Sequence, residues 1–259
     1  MPPLGDRFSP EEQAFFDEHG YVIVRQLAEP DVVRQMTVVT QAGLASQSPP
    51  LEYEADLQYP GAPTSRAAAG GQTVRRLKNA FARDPVFFDW ISLPAVRQRL
   101  QQLLGRQVVL PLAHHNCIMT KQPHFSSETH WHQDIRYWSY ARPDLVSLWL
   151  ALCPEDQANG CLSLIPGSHR LELPRSRFDD AIFLREDLPE NQPLLQQAIT
   201  AELEPGDALF FHCRTFHAAG RNNTDRRKFS VVFTFRPGDN PPVPGSRSAA
   251  LPEVFLPVE

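Results

Sequence analysis

The order of hydrophobic and polar positions along the chain predicts helices in its first part. Helices are indicated where apolar residues recur at three- and four-residue spacing behind a capping residue or a proline. Ser9 begins the first helix, because Glu12 completes a capping box with it, and Gly20 is a suitable residue for the helix end. A short β run, Tyr21 to Val24, follows. The later helices are predicted to begin at Pro30, Asp84 and Pro94.

From residue 107 onward, the pattern of apolar and polar residues is typical of β-strands. Short apolar runs there are separated by turn residues, which is typical of strands. The predicted strands are Val108 to Leu110, Cys117 to Met119, Leu145 to Leu152, Cys161 to Ile165, Ala208 to Cys213 and Phe229 to Phe235. Several strands after a block of helices predict a mainly β protein with flanking α-helices (α+β). Its core would be an antiparallel jelly roll with N-terminal helices packed outside.

The length of 259 residues favours a single domain, because β-barrels and sandwiches often reach this size as one unit. We expect a helical N-terminal part over about 8–105, a jelly-roll core over about 107–236 and a proline-rich tail over 237–259. Residues 46–75 are rich in Ser, Pro, Ala and Gly. They are predicted to form a long surface loop, with a lid as one interpretation.

Composition and charge narrow the function classes. Hydrophobic residues make up 42% of the chain and charged residues 21%, as in an ordinary soluble protein with a substantial core. The net charge of -5 and the scattered basic residues argue against nucleic acid or a membrane surface as partner. The four cysteines show no CxxC spacing. We therefore expect a cytoplasmic protein that acts on a small-molecule substrate, and the sequence leaves its oligomeric state open.

The most informative chemistry lies in His132-Gln133-Asp134. Residues two apart in an extended backbone point to the same side, so His132 and Asp134 can direct an imidazole and a carboxylate at one point. One more histidine would complete a 2-His-1-carboxylate triad, the usual holder of non-haem Fe(II). His212 and His217 both lie near a strand end, and either could be that histidine. The competing interpretation of His132 and Asp134 is a structural hydrogen-bonded pair.

The last predicted strand alternates with period two, and this alternation singles out one arginine. Arg227 shares its face with four apolar residues: Phe229, Val231, Phe233 and Phe235. If that face is the barrel interior, Arg227 points inward, and a buried guanidinium requires an anionic partner. No acidic residue lies on that face of the strand. The partner is then a distant carboxylate of the protein or a ligand carboxylate, which a guanidinium binds through two hydrogen bonds.

Several motifs follow one another in a distinctive order: Gly20 to Val24 after a helix, His132-Gln133-Asp134, Asn159-Gly160-Cys161, Ile165 to His169, Pro205-Gly206-Asp207, Phe211-His212, His217 and Asn222. In this order they resemble the phytanoyl-CoA dioxygenase family of Fe(II)- and 2-oxoglutarate-dependent oxygenases, from about residue 8 to 236. Each motif alone is unspecific, whereas the ordered set is specific. The resemblance implies a double-stranded β-helix (a cupin-like jelly roll), Fe(II) as the metal, and 2-oxoglutarate and O2 as cosubstrates.

Carried over by position, the resemblance implies that His132, Asp134 and His217 bind the metal. The family's cosubstrate arginine follows shortly after the distal histidine, which places it at Arg227, in agreement with the strand alternation. Three further residues match positions that contact the cosubstrate in relatives: Lys78, Cys117 and Trp149. The structural alternatives are a buried ion pair for Arg227, an exposed loop position for Lys78 and plain core packing for Trp149.

The chain departs from the family just after His217. Relatives usually carry Gly-Ser there, and the serine hydroxyl helps to bind the cosubstrate carboxylate, whereas this chain has Ala218-Ala219. The resemblance then leaves the charge of Arg227 as the main source of affinity for that carboxylate.

The implied reaction is the hydroxylation, or another oxidation, of a small organic substrate with release of succinate and CO2. Asp134 favours hydroxylation, because related halogenases carry a small residue there. The alternatives are a cupin-like metal enzyme that does not use 2-oxoglutarate, a zinc hydrolase with the same ligands, and a catalytically quiet binding homologue. Succinate production would distinguish the oxygenase from a metal enzyme that does not use 2-oxoglutarate. The lack of an HExxH motif counts against the zinc hydrolase. Uncoupled decarboxylation of 2-oxoglutarate tests whether the chain is a catalytically quiet homologue.

Overall fold

The computed structural model describes residues 5–57 and 59–258. Residues 1–4, Gln58 and Glu259 belong to the predicted domain range, and Gln58 to the predicted loop 46–75, but they lie outside the described part. The helices are α1 (Pro10–His19), α2 (Pro30–Ala45), α3 (Pro85–Ser92), α4 (Pro94–Leu104) and α5 (Gln192–Leu195). The strands are β1 (Tyr21–Val24), β2 (Leu51–Tyr53), β3 (Val74–Lys78), β4 (Val108–Pro111), β5 (Asn116–Lys121), β6 (Thr129–His132), β7 (Val146–Ala151), β8 (Leu162–Leu164), β9 (Ile199–Thr200), β10 (Ala208–His212), β11 (His217–Ala219), β12 (Lys228–Pro237) and β13 (Glu253–Phe255).

The first helix begins and ends where its capping signals predicted. The Ser9 hydroxyl accepts a hydrogen bond from the Glu12 amide at 3.2 Å, and the Glu12 carboxylate accepts one from the Ser9 amide at 2.8 Å. Gly20 ends α1 in the left-handed region with φ 76°, where a residue without Cβ avoids strain. The capping box and the glycine stop are therefore confirmed, and so are the helices at Pro30, Asp84 and Pro94.

Two antiparallel sheets form the core. The larger one has the strand order β1-β10-β7-β12-β5-β3-β2, with β4 and β13 attached beside β12, and the smaller one has the order β6-β11-β8-β9. All six strands predicted after residue 107 are present. The segment 46–75 differs from its prediction, because it contains β2 and the start of β3 and is therefore not one long loop. Pairing of β3 with β5 draws this segment into the larger sheet.

The larger sheet is covered on both faces, and this arrangement decides which side chains reach the interior. Its outer face packs against the helices in one apolar cluster that contains Phe87 and Trp90 of α3, Leu100 of α4, and Val231 and Phe233 of β12. Its inner face packs against the smaller sheet in a second cluster, which contains Cys117, Trp149, Leu164, Phe211 and Val232. The interior of the barrel lies between the two sheets.

The face of β12 that carries the phenylalanines is the outer face, and the prediction that Arg227 points into the barrel is wrong. Phe229, Val231, Phe233 and Phe235 all belong to the cluster under the helices. The interior face carries Lys228, Ser230, Val232 and Thr234, of which Lys228 and Val232 line a cavity. Arg227 precedes the strand and is exposed. The inference failed because a helical layer buries the apolar face from outside, so that apolar character did not identify the interior.

The C-terminal segment returns to the sheet. Strand β13 pairs with β4, where Val254 lies opposite Leu110. The Arg236 guanidinium donates from Nε to the Glu253 carboxylate at 2.8 Å, and Leu256 is buried. Residues of this tail, Ala250 to Pro252, therefore reach the mouth of the interior cavity. In the described parts of the chain, no helix combines the length and the apolar character that a membrane span requires.

Candidate metal centre and its cavity

Three of the predicted site residues meet inside the barrel: His132, Asp134 and His217. His132 is the last residue of β6 and lies directly opposite His217, the first residue of β11. Asp134 follows β6 at the start of a 3-10 turn, Asp134–Tyr137. One Asp134 oxygen, Oδ1, lies 3.7 Å from Nε2 of His132 and 3.6 Å from Nε2 of His217. One donor atom from each residue lies within 4.8 Å of the others, and all three residues are buried.

Main-chain carbonyls fix the orientation of both imidazoles. Nδ1 of His132 lies 2.8 Å from the His130 carbonyl oxygen, and Nδ1 of His217 lies 3.0 Å from the Thr215 carbonyl oxygen. Because a carbonyl only accepts, each Nδ1 must carry the hydrogen. The lone pair is then on Nε2 in both rings, and both Nε2 atoms face the Asp134 carboxylate. This tautomer is the one that a metal requires.

The second oxygen of Asp134 is held by residues on the inner face of the larger sheet. The Ser147 hydroxyl donates to Asp134 Oδ2 at 3.3 Å and lies 3.0 Å from the Thr234 hydroxyl. Nδ1 of His115 lies 3.5 Å from the same oxygen and has no hydrogen-bond partner among the described residues. The carboxylate is thus oriented so that Oδ1 remains directed at the two histidines.

Burial sets the ionisation of these groups. Burial holds the pKa of His132 well below 6.5 and lowers the pKa of His115 to about 4. Burial by itself would raise the pKa of Asp134, but electrostatic interactions with the three surrounding histidines and with Arg76 outweigh it and lower the pKa overall. At neutral pH His132 therefore offers a neutral imidazole and Asp134 an ionised carboxylate. These are the protonation states in which both groups bind metals.

The donor set fits Fe(II). The donors are two imidazole nitrogens, one at the end of β6 and one at the start of β11, and a carboxylate oxygen from the turn after β6. These are the ligands of a 2-His-1-carboxylate site with open positions. Arg76 acts on Asp134 electrostatically, but its guanidinium Nε lies 3.3 Å from the carboxylate of Glu52. Without a metal, the close polar neighbours of the Asp134 carboxylate among the described residues are the Ser147 hydroxyl and the rings of His115, His132 and His217. A dication would satisfy it.

A cavity of about 740 Å³ adjoins the three residues. This volume lies in the range of small-molecule sites in proteins. Its mouth is formed by aromatic side chains after β6 and by the C-terminal tail, and its walls carry several charged residues of β3, β5 and β12. The lining at the mouth includes Tyr137, Trp138, Arg247, Leu251 and Pro252, and the lining at the inner end includes Lys121, Trp149, Ala219 and Lys228.

An ion pair closes the inner end of the cavity. Nζ of Lys228 lies 2.8 Å from Oε2 of Glu155, and both residues are buried. The Glu155 carboxylate also accepts hydrogen bonds from the Ser230 hydroxyl at 2.6 Å and from the Trp149 indole at 3.1 Å. Arg227, the residue before Lys228, takes no part in this cluster.

The other predicted contact residues divide into two groups. Cys117 and Trp149 line the cavity wall and are buried. Lys78 lies at the end of β3 on the cavity rim and is exposed. His212, the alternative third ligand, accepts a hydrogen bond from the Arg214 amide at 3.1 Å, outside the cluster. His130, on the same strand as His132, pairs with Glu186 at 3.1 Å.

Sequence reasoning missed Lys121, Glu155 and Lys228. A signal for Lys228 was present, because the same alternation that grouped Arg227 with the phenylalanines grouped Lys228 with Ser230 on the opposite face. Glu155 had no such signal, since its partner Lys228 is 73 residues away along the chain. Only the fold brings the two together.

Comparisons with known proteins agree with this architecture. A family model described as phytanoyl-CoA dioxygenase matches residues 16–230. A probable phytanoyl-CoA dioxygenase from Caenorhabditis elegans is 25% identical over 228 residues, which cover 85% of this chain and 73% of that protein. These matches span both the helical part and the β-rich part.

Solved structures with the same fold include two from small-molecule metabolism. The non-heme alpha ketoglutarate dependent carbocyclase SnoK from nogalamycin biosynthesis has a TM-score of 0.72 at 20% identity, with 96% of this chain and 92% of that chain covered. EctD from S. alaskensis, crystallised with 2-oxoglutarate and 5-hydroxyectoine, has a TM-score of 0.73 at 20% identity, with 89% and 76% covered. The predicted double-stranded β-helix is thereby confirmed. The chain belongs to the phytanoyl-CoA dioxygenase family, as its ordered motifs indicated, and so to the non-haem Fe(II)- and 2-oxoglutarate-dependent dioxygenases.

Proposed function

We propose that this chain binds Fe(II) through His132, Asp134 and His217 and hydroxylates, or otherwise oxidises, a small organic substrate at the expense of 2-oxoglutarate and O2. The observation that carries the proposal is the convergence of three buried donor atoms within 4.8 Å at the wall of a cavity of about 740 Å³. Succinate and CO2 are the expected products of the cosubstrate.

The protein's own residues would prepare this reaction in three ways. His132 and His217 present Nε2 because the carbonyls of His130 and Thr215 hold the hydrogen on Nδ1. Ser147 keeps the second carboxylate oxygen of Asp134 turned away from the metal position. When bound, Fe(II) with 2-oxoglutarate and O2 supplies the oxidising chemistry.

Apolar walls would keep water away from the site. Cys117, Trp149 and Phe211 line the cavity beside the three donors and are almost fully buried. Burial raises the pKa of the Cys117 thiol to about 11, so this residue remains an uncharged thiol at neutral pH. Exclusion of water strengthens the electrostatic contacts inside the site and limits side reactions.

The substrate would enter between the aromatic residues after β6 and the C-terminal tail. Tyr137 and Trp138 form one side of the mouth, and Arg247 and Leu251 form the other. The enclosed volume suits a single small molecule and is too small for a polymer. The acidic net charge of -5 argues against nucleic acid and anionic membranes as partners, and the four free cysteines fit a cytoplasmic location.

An anaerobic titration tests the proposal. Purified protein is mixed with Fe(II) and then with 2-oxoglutarate, and the weak visible charge-transfer band of the chelate is recorded. We expect the band in the wild type and in His130→Ala, a control on the same strand whose side chain pairs with Glu186 outside the cluster. We expect its loss in His132→Ala and Asp134→Ala. A band of full intensity in Asp134→Ala would show that the metal lies elsewhere.

A further inference from the structure

The charged residues that line the cavity are mostly basic, although the whole chain carries a net charge of -5. The acidic lining residues are Glu52 and Asp134, and Asp134 is a proposed metal ligand. The basic lining residues are Arg75, Arg76, Lys78, Lys121, Lys228 and Arg247. This balance of charge favours an anionic ligand wherever the protein does not itself neutralise the cations.

Most of these cations have partners within the protein. Three of them lie at ion-pair distance from a carboxylate: Arg75 (3.2 Å from Glu54), Arg76 (3.3 Å from Glu52) and Lys228 (2.8 Å from Glu155). Lys121 donates to two main-chain carbonyls, and the charges of Glu54 and Glu128 act on it. Lys78 occupies a position that the family resemblance gives to the cosubstrate. Arg247 is the cation that remains.

Arg247 belongs to the C-terminal tail, beyond the residues that the family model matches. Its side chain is exposed and lines the mouth of the cavity, and no hydrogen bond or ion pair joins its guanidinium to residues 5–57 or 59–258. The ring of His114 beside it carries no charge to offset, since burial, together with the charges of His115 and Arg247, lowers the pKa of His114 to about 3. The positive charge of Arg247 is thus available to a ligand.

The main chain around Arg247 is fixed, although its side chain has no partner. The Ser248 hydroxyl accepts a hydrogen bond from the Ser139 amide at 2.8 Å and lies 2.8 Å from Nε2 of His114. Ser248 is buried, and the Ala250 amide donates to the Arg247 carbonyl at 3.2 Å. A side chain on an ordered main chain loses less freedom when it binds a ligand than one on a mobile loop. The barrel therefore holds Arg247 at the mouth without using its charge.

An apolar and aromatic wall connects Arg247 with the metal ligands. Trp138 and Leu251 line the cavity at its mouth. The Trp138 ring packs edge-on against the His115 ring, with 5.5 Å between the ring centroids, and Nδ1 of His115 lies 3.5 Å from Oδ2 of Asp134. This wall suits the apolar or aromatic body of a small molecule, with an anionic group at the mouth and the opposite end near the metal position.

We propose that Arg247 binds a carboxylate of the substrate, so that the enzyme oxidises carboxylic acids with an apolar or aromatic body. This inference rests on the proposed function and adds a substrate class to it. A guanidinium binds a carboxylate through two parallel hydrogen bonds, which orient the acid as well as attract it. The rest of the substrate lies along Trp138 and Leu251 and directs its far end towards the metal. Arg247 is the specificity-determining residue of this contact.

Matched acids and amides test this assignment. Metal-free protein is titrated by calorimetry with the series from 3-phenylpropanoate to 6-phenylhexanoate, and with the primary amides of these acids, which keep the body but lose the charge. We expect the wild type to bind the best acid of the series about 10-fold more tightly than its amide, as for one charge-assisted contact. Arg247→Met should bind this acid and its amide equally. Arg226→Met removes an exposed cation outside the cavity lining, and this control should keep the preference.

A second measurement separates this assignment from the proposed function. With Fe(II) bound and O2 excluded, Arg247→Met should form the 2-oxoglutarate chelate band at the same concentrations as the wild type. Weaker binding of 2-oxoglutarate in Arg247→Met, an acid preference that survives in this variant, or no acid preference in the wild type would overturn the inference. So would tighter binding of the matching phenylalkyl phosphates than of the acids. Absence of the chelate band in the wild type, with its acid preference intact, would instead refute the proposed function.

Discussion

The two ends of the cavity both bury charged groups, but they do so in opposite ways. At the metal end, Asp134 lies among histidines that donate nothing to it through Nε2, and no lysine or arginine of residues 5–57 or 59–258 lies at ion-pair distance from it. At the inner end, the Lys228 ammonium lies 2.8 Å from the Glu155 carboxylate, and its strand neighbour Lys121 donates to two main-chain carbonyls. The metal end therefore lacks a positive charge that a bound metal would supply, whereas at the inner end the protein's own carboxylate neutralises Lys228. A buried charge that the protein does not itself neutralise therefore indicates what a site binds better than the residue types of the site do.

The two ends also differ in how they are built. The metal end uses two short strands that pair directly, with main-chain carbonyls to orient each imidazole. The inner end uses side chains from three separate parts of the chain: Lys228 and Ser230 of β12, Trp149 of β7, and Glu155, whose carboxylate neutralises the Lys228 ammonium. Loss of one residue should therefore remove function at the metal end, and should damage the fold at the inner end.

The largest expected effect is at the metal end. His217→Ala should lower Fe(II) affinity by more than about 1,000-fold, because one of three ligands is lost. His212→Ala, a nearby histidine on β10 outside the cluster, should bind Fe(II) like the wild type. Calorimetric titration under anaerobic conditions measures both. The reverse result, with metal lost in His212→Ala and kept in His217→Ala, would contradict the ligand set.

The next effect concerns stability at the inner end. Lys228→Met should lower the free energy of unfolding by about 3 kcal/mol, because it leaves the buried carboxylate of Glu155 without its counter-ion. The double variant Lys228→Met/Glu155→Met should recover most of this loss, since the unpaired charge is gone. Arg227→Met should change stability by less than about 0.5 kcal/mol. Urea denaturation measures the free energy of unfolding of each variant. Equal losses of stability in Arg227→Met and Lys228→Met would show that the two faces of β12 are assigned wrongly.

The pH dependence of stability gives a smaller, graded effect. The pKa of Lys121 is lowered to about 7 in the folded protein, from 10.5, so between these values the unfolded chain binds more protons than the folded one. Stability therefore rises with pH over this range. Relative to Lys121→Met, the wild type should gain about 2 kcal/mol between pH 7 and pH 9. Urea denaturation at a series of pH values measures this difference. If the stabilities of the two proteins changed equally with pH over this range, Lys121 would not be buried with a lowered pKa.

The smallest expected effect sharpens the account of the metal end. Ser147→Ala removes the hydroxyl that donates to Asp134 Oδ2 at 3.3 Å, and should weaken Fe(II) binding about 10-fold, as other losses of ligand-orienting hydrogen bonds do. Ser163→Ala, on β8 of the opposite sheet, is a suitable comparison because its residue lies outside the cavity lining. Calorimetry with Fe(II) measures both variants, and unchanged affinity in Ser147→Ala would show that Asp134 is oriented without it.

The sequence was sufficient to predict the helices, the strands after residue 107 and the three residues at the metal end, because the signals for them are mostly local. Helix caps and strand alternation are local, and His132 and Asp134 lie two residues apart, so their common direction follows from one extended segment. The family motifs then selected His217 over His212. None of these steps required knowledge of how distant strands pack.

The inner end required the fold. Alternation shows which residues of β12 share a face, but it does not show which face is covered by helices, and Arg227 was misplaced for that reason. The pairing of Lys228 with Glu155 joins residues far apart in the chain. The sequence did not reveal β2 and β3 for a related reason, because β2 pairs with β3 and β3 joins the sheet through its long-range pairing with β5.

The C-terminal tail has a consequence for how the enzyme could diversify. Ser248 anchors the tail to the barrel through the His114 ring and the Ser139 amide, both at 2.8 Å, while Arg247 and Leu251 beside it remain free to face the entrance. The residues that meet an arriving molecule are thus encoded apart from those that hold the metal. Substitutions in this short stretch can change which compounds are admitted and leave the oxidising machinery intact.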